Sequence, residues 1–185
     1  MRVLGVDPGT VVTGWGVIDC HRGAFRHVAS GTIRAGRGDL AGRLGLIYVG
    51  LAEVAREHAP DAFSLERNFL ARNVQSAFRL GEARGVAMAA AALAGVPLSE
   101  YSPATVKKTV TGHGGAEKSQ VQDAVLRLLA LSGRLAVDEA DALAVAACHA
   151  LRTRYHSRVR VALARRDQPV APLAGTVRVR ARVLG

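Results

Sequence analysis

Four acidic side chains stand where the chain turns or a helix begins, and their spacing suits metal-dependent chemistry. Asp7 follows the apolar run of residues 2–6 and precedes a Pro-Gly turn, so we expect it at the carboxyl end of a buried strand. Glu66 repeats this arrangement, and Asp138 and Asp141, three residues apart, share one face of a predicted helix. Carboxylate oxygens are the ligands that Mg²⁺ and Mn²⁺ prefer. Together the acids predict a site for two divalent ions at a phosphodiester.

Each acid also has a purely structural interpretation. Asp7 could belong only to its turn, Glu66 could end a strand in solvent, and Asp138 could be the N-cap of its helix. A lone carboxylate buried at the end of a central strand is costly, however, and a divalent cation offsets the repulsion among several carboxylates. We therefore favour the joint metal site.

Basic residues indicate a polyanionic partner, most simply nucleic acid. The formal net charge is +10, and 25 Lys and Arg residues include only three lysines, Lys107, Lys108 and Lys118. These lysines flank a glycine-rich loop and open a helix, an arrangement that favours a phosphate-facing site without matching a Walker loop. Residues 157–185 contain seven arginines and only one aspartate, so this segment carries much of the positive charge.

Hydrophobic periodicity places these residues on alternating strands and helices. The predicted strands cover residues 2–7, 15–18, 24–35, 62–66 and 96–101, and the predicted helices cover residues 40–58, 73–95, a short helix from 104, 117–131 and a late helix over 137–146. The first strands form an antiparallel start to the sheet. If the strands ending in Asp7 and Glu66 are parallel neighbours, both carboxylates project from one rim. The pattern predicts an α/β fold in which helices flank a mixed five-stranded sheet.

The helix over residues 73–95 is rich in alanine and glycine. Small side chains let backbones approach closely, so this helix either packs tightly against the sheet or pairs with the same helix of a second subunit. We favour pairing with a second subunit.

Length and composition predict one domain, residues 1–156, with a basic C-terminal extension, residues 157–185, that could be disordered. The two cysteines offer neither a disulfide framework nor a zinc spacing. We find no signal peptide, and the longest apolar run, residues 86–94, is too short to span a bilayer. We therefore expect a cytoplasmic protein with no membrane partner.

Several separate motifs, in this order, resemble the RuvC family of Holliday-junction resolvases. They are Leu4-Gly5-Val6-Asp7-Pro8-Gly9, Thr13-Gly14-Trp15-Gly16, Leu65-Glu66 and the segments at 80–85, 116–122 and 138–144. The similarity covers about residues 1–155. It implies a ribonuclease-H-like fold, a homodimer, and Mg²⁺- or Mn²⁺-dependent cutting of two opposed strands of a four-way DNA junction, which leaves 5′-phosphate and 3′-hydroxyl ends. It also implies a RuvA–RuvB branch-migration complex as partner.

The resemblance assigns roles position by position. It implies that the metal-binding and catalytic residues are Asp7, Glu66, Asp138 and Asp141. Lys107 and Lys118 match basic residues beside the scissile DNA, and we add Lys108 to the expected DNA-binding set. Phe69 matches an aromatic position that contacts the junction. Some members of the family carry histidine at the position of Asp138.

Other functions are compatible with parts of this pattern. An RNA-processing nuclease with the same fold would keep the acids, whereas a non-catalytic junction-binding protein would keep the lysines and lose the acids. An ATPase related to actin or the sugar kinases also uses a strand-Asp-Gly-Thr turn, but it needs a second large lobe that 185 residues do not supply.

Overall fold

A mixed sheet forms the centre of the domain. The structure is a computed structural model that describes residues 1–67 and 74–163, with side chains as far as residue 153. The strands are β1 (Arg2–Asp7), β2 (Val12–His21), β3 (Ala24–Arg34), β4 (Ala62–Glu66) and β5 (Leu98–Tyr101), in the spatial order β3-β2-β1-β4-β5. β2 is antiparallel to β1 and β3, whereas β4 is parallel to β1 and β5. The predicted α/β class with a mixed five-stranded sheet is confirmed.

Five helices cover the two faces of this sheet. They are α1 (Leu40–His58), α2 (Val74–Leu93), α3 (Pro103–Thr111), α4 (Lys118–Leu129) and α5 (Val137–Leu163). Buried side chains of α1 and α2 pack on one face, and those of α3, α4 and α5 pack on the other. Asp39 caps α1, since its Oδ1 accepts a hydrogen bond from the Gly42 amide at 2.9 Å.

β1 is central because its side chains are buried on both faces. Val3 packs in the cluster formed with α3, α4 and α5, whereas Leu4 and Val6 pack in the cluster formed with α1 and α2. Alternation along the strand therefore supplies two hydrophobic cores from one short segment. The strand ends where Asp7 meets Pro8, which cannot donate to the ladder.

Glycines on β1 and β2 let α5 lie close to the sheet. A Cβ atom at Gly5 would stand 2.0 Å from the Ala142 carbonyl oxygen, and one at Gly14 would stand 2.1 Å from the Asp138 carbonyl oxygen. Any side chain at these two positions would force the helix outward. The glycines therefore fix the height and position of α5 above the sheet.

α5 is much longer than the predicted late helix. It continues to Leu163. The sequence did not reveal this length, because residues 142–148 are buried on all sides and therefore show no helical periodicity. The proposed domain boundary at residue 156 thus falls inside a helix. The division into a domain and an extension stays a prediction, since residues 164–185 lie outside the described part of the chain.

The remaining elements differ from prediction only at their ends. β2 begins at Val12 and reaches His21, while β5 begins at Leu98 instead of residue 96. Within residues 1–67 and 74–163 we find no helix that combines the length and the apolar character needed to cross a bilayer. The two cysteines are unpaired thiols.

Candidate active site

Asp7 and Glu66 lie at the same rim of the sheet because β1 and β4 run parallel. Val6 is in register with Leu65, so the next residue on each strand is one of the two acids. Gly5, two positions before Asp7, lies against α5, and alternation directs Asp7 to that same face. The condition under which both carboxylates project from one rim, that the two strands are parallel neighbours, is met.

α5 brings the other two acids to this rim. The backbone carbonyl of Asp138 lies against Gly14, and Gly14 is paired with Asp7 across β1 and β2. Asp141 follows less than one turn later and therefore lies on the same side of the helix. The close seating of α5 thus places its first turn beside the end of β1.

The start of α5 is capped by residues other than Asp138. The amide of Ala136 donates to Oε2 of Glu139 at 3.0 Å, and the carbonyl of Ala136 accepts from the amide of Ala140 at 3.0 Å. Ala136 is therefore the N-cap residue, and Glu139 supplies the side chain that reaches back to it. Asp138 does not have the capping role considered from the sequence.

All four acids line one cleft of about 460 Å³. Its lining residues are Asp7, Glu66, Pro103, Val106, Lys107, Lys118, Val121, Asp138, Asp141 and Ala144. Lys107 and Lys118 therefore face the same space as the acids, and their expected contact with DNA stays a prediction. The apolar residues form the floor between α3, α4 and α5, which lowers the local dielectric and strengthens every charge interaction in the cleft.

Burial and mutual repulsion make two carboxylates of this cleft, Asp7 and Glu66, hard to ionise. Burial, followed by the charges of Glu66, Asp141 and Asp138, raises the pKa of Asp7 to about 7, against a smaller opposing effect of Lys118. Burial and the charge of Asp141 also raise the pKa of Glu66. Both carboxylates would be stabilised in their charged forms by additional positive charge in the cleft.

Lys118 supplies part of that positive charge. Its Nζ lies 2.6 Å from Oδ2 of Asp141. Burial alone would lower the pKa of Lys118, but the hydrogen bond and charge of Asp141 outweigh burial, and the net effect raises this pKa. The ammonium group is therefore charged and pairs with Asp141. The negative charges of Asp7 and Glu66 are only partly offset by nearby positive charge.

The donor set fits a hard divalent cation by its chemistry. Oxygen ligands, partial burial and surplus negative charge are the features that Mg²⁺ and Mn²⁺ sites share. In residues 1–67 and 74–163, however, no three His, Cys, Asp or Glu side chains are already grouped so that they could hold one ion together. The acids line the cleft without converging on a point, and Asp141 is turned toward Lys118.

The other two predicted DNA-binding residues are Lys108 and Phe69. Lys108 is an exposed residue of α3 and does not line the cleft, so its expected contact with DNA stays a prediction. Phe69 lies outside the described residues, and its expected contact with the junction also stays a prediction.

Thr13 lies beside the site, outside the lining of the cleft, and the sequence suggested no role for it. It is a fully buried polar residue at the start of β2, close to the turn that follows Asp7. The local signal was present, because a threonine four residues after the glycine of a Pro-Gly turn can bond back to it. Only the family resemblance singled out the motif that contains Thr13.

Size alone does not identify the site. A larger cleft of about 750 Å³ lies between α3 and α4 and is lined by Thr111, His113, Gln120, Asp123 and Arg127 among others. It contains a single acid and none of the predicted residues. The smaller cleft has the chemistry, since strand-end acids, helix acids and lysines meet there.

The sheet order, the acids at the ends of β1 and β4 and the acid pair opening a late helix define the class of ribonuclease-H-like nucleases. Comparison with known proteins narrows this class. The family model described as Crossover junction endodeoxyribonuclease RuvC matches residues 3–149, and the chain therefore belongs to the RuvC family.

Curated relatives agree over most of the chain. The crossover junction endodeoxyribonuclease RuvC of Burkholderia multivorans is 48% identical over 150 residues, which is 81% of this chain and 83% of that protein. The protein of the same name from Pseudomonas entomophila is 47% identical over 148 residues, 80% of this chain and 85% of that protein.

Solved structures support the same assignment. Thermus thermophilus RuvC in complex with a Holliday junction substrate is 32% identical, covers 85% of this chain and 97% of its own, and superposes with a TM-score of 0.80. The yeast mitochondrial Holliday junction resolvase Ydc2 is only 11% identical, covers 88% of this chain and 85% of its own, and has a TM-score of 0.63. This second likeness shows that the fold is shared.

Proposed function

We propose that this chain resolves four-way DNA junctions by hydrolysing one phosphodiester in each of two opposed strands. Family membership makes it a divalent-metal-dependent endonuclease. The observation that carries the proposal is the cleft in which Asp7, Glu66, Asp138 and Asp141, from three separate parts of the chain, face Lys107 and Lys118.

The four acids are the residues that would hold the metal, and we propose two Mg²⁺ or Mn²⁺ ions. When bound, such ions would supply Lewis-acid activation of water and neutralise charge at the phosphate. The buried position of Asp7 between Glu66 and the acids of α5 favours it as a carboxylate shared by both ions.

The lysines act on the DNA. Lys118 and Lys107 would bind the scissile phosphate and stabilise the negative charge that develops on its oxygens. A water molecule attacks phosphorus in line with the bond to the 3′ oxygen, and that bond breaks. The products are a 5′-phosphate and a ligatable 3′-hydroxyl. We further propose that Lys108 and Phe69 contact the junction arms.

A homodimer would present two such clefts to a substrate of nearly twofold symmetry. α2 supports this proposal because one side of it packs in the core through Ala83 and Ala87, while Val74, Phe78 and Met88 are 73%, 68% and 39% exposed. Three large apolar side chains on one exposed helix stripe are typical of an interaction surface.

The helix composition also suits a partner helix. Gly81 and Gly85 lie between Phe78 and Met88 on α2, and a Cβ atom at either position would meet nothing within 4 Å. A second helix can therefore approach the α2 backbone closely. We also propose a RuvA–RuvB complex as a partner and, because the chain belongs to a family of DNA-cutting enzymes, a cytoplasmic location.

Cleavage of a synthetic four-way DNA junction tests the proposal. We expect paired nicks with Mg²⁺ or Mn²⁺ and none in a chelator, while duplex DNA and structured RNA are left uncut. Asp7→Asn should abolish cleavage and leave junction binding in a mobility-shift assay largely intact. Cleavage of RNA instead of the junction would favour an RNA-processing nuclease, and binding without cleavage by the wild type would favour a scaffold protein.

A further inference from the structure

The turn between β1 and β2 is closed by the side chain of Thr13. Its hydroxyl donates to the carbonyl of Gly9 at 2.8 Å and accepts from the amide of Gly9 at 3.3 Å. Thr13 is 0% exposed, so water cannot replace either bond. A buried hydroxyl that satisfies both backbone groups of one residue fixes that residue strongly.

The rest of the same turn is held from two other directions. Nη1 of Arg43, on α1, donates to the carbonyl of Thr10 at 3.2 Å. The amide of Ala35 donates to the carbonyl of Val11 at 3.0 Å. The turn is tight as well, because a Cβ atom at Gly9 would stand 2.3 Å from the Val12 carbonyl oxygen. Few backbone conformations remain available to this turn.

This turn starts at one acid and ends beside another. Asp7 precedes Pro8, and Gly14, which follows Thr13, is paired with Asp7 across the strands. Gly14 also lies against the Asp138 carbonyl. The Thr13 hydroxyl therefore closes a short loop of backbone whose two ends locate Asp7 and the first turn of α5.

We propose that Thr13 is a positioning residue for the metal site, acting through the backbone between Asp7 and Gly14. This role rests on the proposed function and deepens it. Thr13 does not line the cleft, so it acts without touching metal or DNA. Its hydroxyl lowers the number of positions that the Asp7 carboxylate samples, and ligands held in advance bind an ion more tightly.

The positioning role is tested by Thr13→Val, which keeps the shape of the side chain and removes the hydroxyl, and by Thr13→Ser, which keeps the hydroxyl. Mn²⁺ affinity is measured on the full chain, without DNA, from the electron paramagnetic resonance signal of the free ion. We expect Thr13→Val to weaken Mn²⁺ binding by about 10- to 100-fold and Thr13→Ser to stay near the wild type. The matched control is Thr109→Val, since the Thr109 hydroxyl donates at 2.7 Å to the Thr105 carbonyl of its own helix and does not contact the turn.

A structural role alone would lower the melting temperature of Thr13→Val and leave the Mn²⁺ affinity of the folded protein unchanged, and that result would overturn the inference. If Thr13→Val does not fold, Arg43→Met reports on the same turn through Thr10. Weaker Mn²⁺ binding by Arg43→Met would then support the inference, and unchanged binding would overturn it. A wild type that binds no Mn²⁺ would refute the proposed function itself, together with the inference.

Discussion

The Nζ atom of Lys118 lies 2.6 Å from Oδ2 of Asp141, within the cleft that also contains Asp7 and Glu66. This ion pair means that a cation already neutralises one of the four acids before any metal binds. Because a metal held by Asp141 would compete with Lys118 for the same oxygen, metal loading would free the ammonium group for the DNA phosphate. We therefore propose that Lys118 couples metal binding to DNA binding.

Removal of the Lys118 charge should slow cleavage by a large factor. Lys118→Met keeps the aliphatic stem and removes the ammonium group, and loss of one preorganised charge at a reacting phosphate costs about 10²- to 10³-fold in rate. Single-turnover cleavage of a four-way junction measures the effect. Arg26→Gln is the control, since it removes one positive charge at the opposite end of the sheet, where Arg26 pairs with Asp19. Equal rates for Lys118→Met and the control would contradict this role.

Asp7 should make the metal-free protein less stable as the pH rises. Its pKa is raised from an ordinary value of 3.8 to about 7, so the folded state holds the proton more tightly than the unfolded state. This contribution to stability is complete below about pH 4 and is lost as the pH rises through about 7. Asp7→Asn should therefore be more stable than the wild type at pH 8 in a chelator, by on the order of 4 kcal/mol, and equally stable at pH 4.

Urea unfolding at the two pH values measures this difference. Asp123→Asn is the control, because Asp123 is an exposed carboxylate of α4 outside the cleft. Saturating Mn²⁺ should reverse the order at pH 8, since the ion stabilises only the protein that retains the ligand. If the wild type were as stable as Asp7→Asn in the chelator at pH 8, ionisation of Asp7 would not destabilise the folded protein, and this prediction would be wrong.

Asp19 should have the opposite pH dependence. The hydrogen bond from Arg2, opposed by burial and assisted by Arg26, lowers the pKa of Asp19 to about 2. Its contribution to stability is therefore present above about pH 4 and is lost as the pH falls toward 2. We expect Asp19→Asn to destabilise the protein by about 1 kcal/mol at pH 7 and by nothing measurable at pH 2. Denaturant titrations at both values would reveal a pH-independent loss if this cause were wrong.

The close packing of α5 on the sheet should not tolerate a side chain at position 14. In Gly14→Ala the new Cβ atom meets the Asp138 carbonyl oxygen at 2.1 Å, so the first turn of α5 must move away from Asp7. A shift of about 1 Å in a catalytic group costs on the order of 10²-fold in rate, and we expect that loss in junction cleavage. Gly38→Ala is the matched control because its Cβ atom meets nothing within 4 Å. Full activity of Gly14→Ala would show that α5 is free to adjust.

The exposed stripe of α2 should be required for dimerisation. Phe78→Asp places a charge where Phe78 is 68% exposed in the single chain, and burial of an unpaired carboxylate in an interface is strongly unfavourable. Analytical ultracentrifugation should show monomers for this variant and dimers for the wild type. Val49→Asp is the control, because Val49 is an apolar residue of α1 that is 51% exposed. A dimer formed equally well by Phe78→Asp would exclude this face.

The strand ends were predictable because their signal is local. Apolar runs that stop at Asp7 and Glu66 indicate buried strands with an acid at the rim, and the structure places both there. The placement of Asp138 and Asp141 on one face of α5 was predictable from a local signal as well, because residues three apart in a helix lie on the same side. The length of α5 was not, because a helix buried on every side loses the periodicity that marks an amphipathic one.

Side-chain contacts between residues that are far apart in the chain could not be predicted from the sequence. The pairing of Lys118 with Asp141 joins two helices, and the bond from Arg43 to Thr10 joins α1 to a turn 33 residues earlier. Neither pair has a fixed spacing along the chain. The dual use of α2, buried on one side and exposed on the other, was likewise visible only once the core was known.

α5 links the interior of the domain to the cleft. The same helix fills the core through residues 140–150 and carries Asp138 and Asp141 at its first turn. If α5 detaches from the sheet, the hydrophobic core is disrupted and the cleft loses two of its four acids in the same event. We therefore expect nuclease activity to appear only in molecules in which α5 is docked on the sheet.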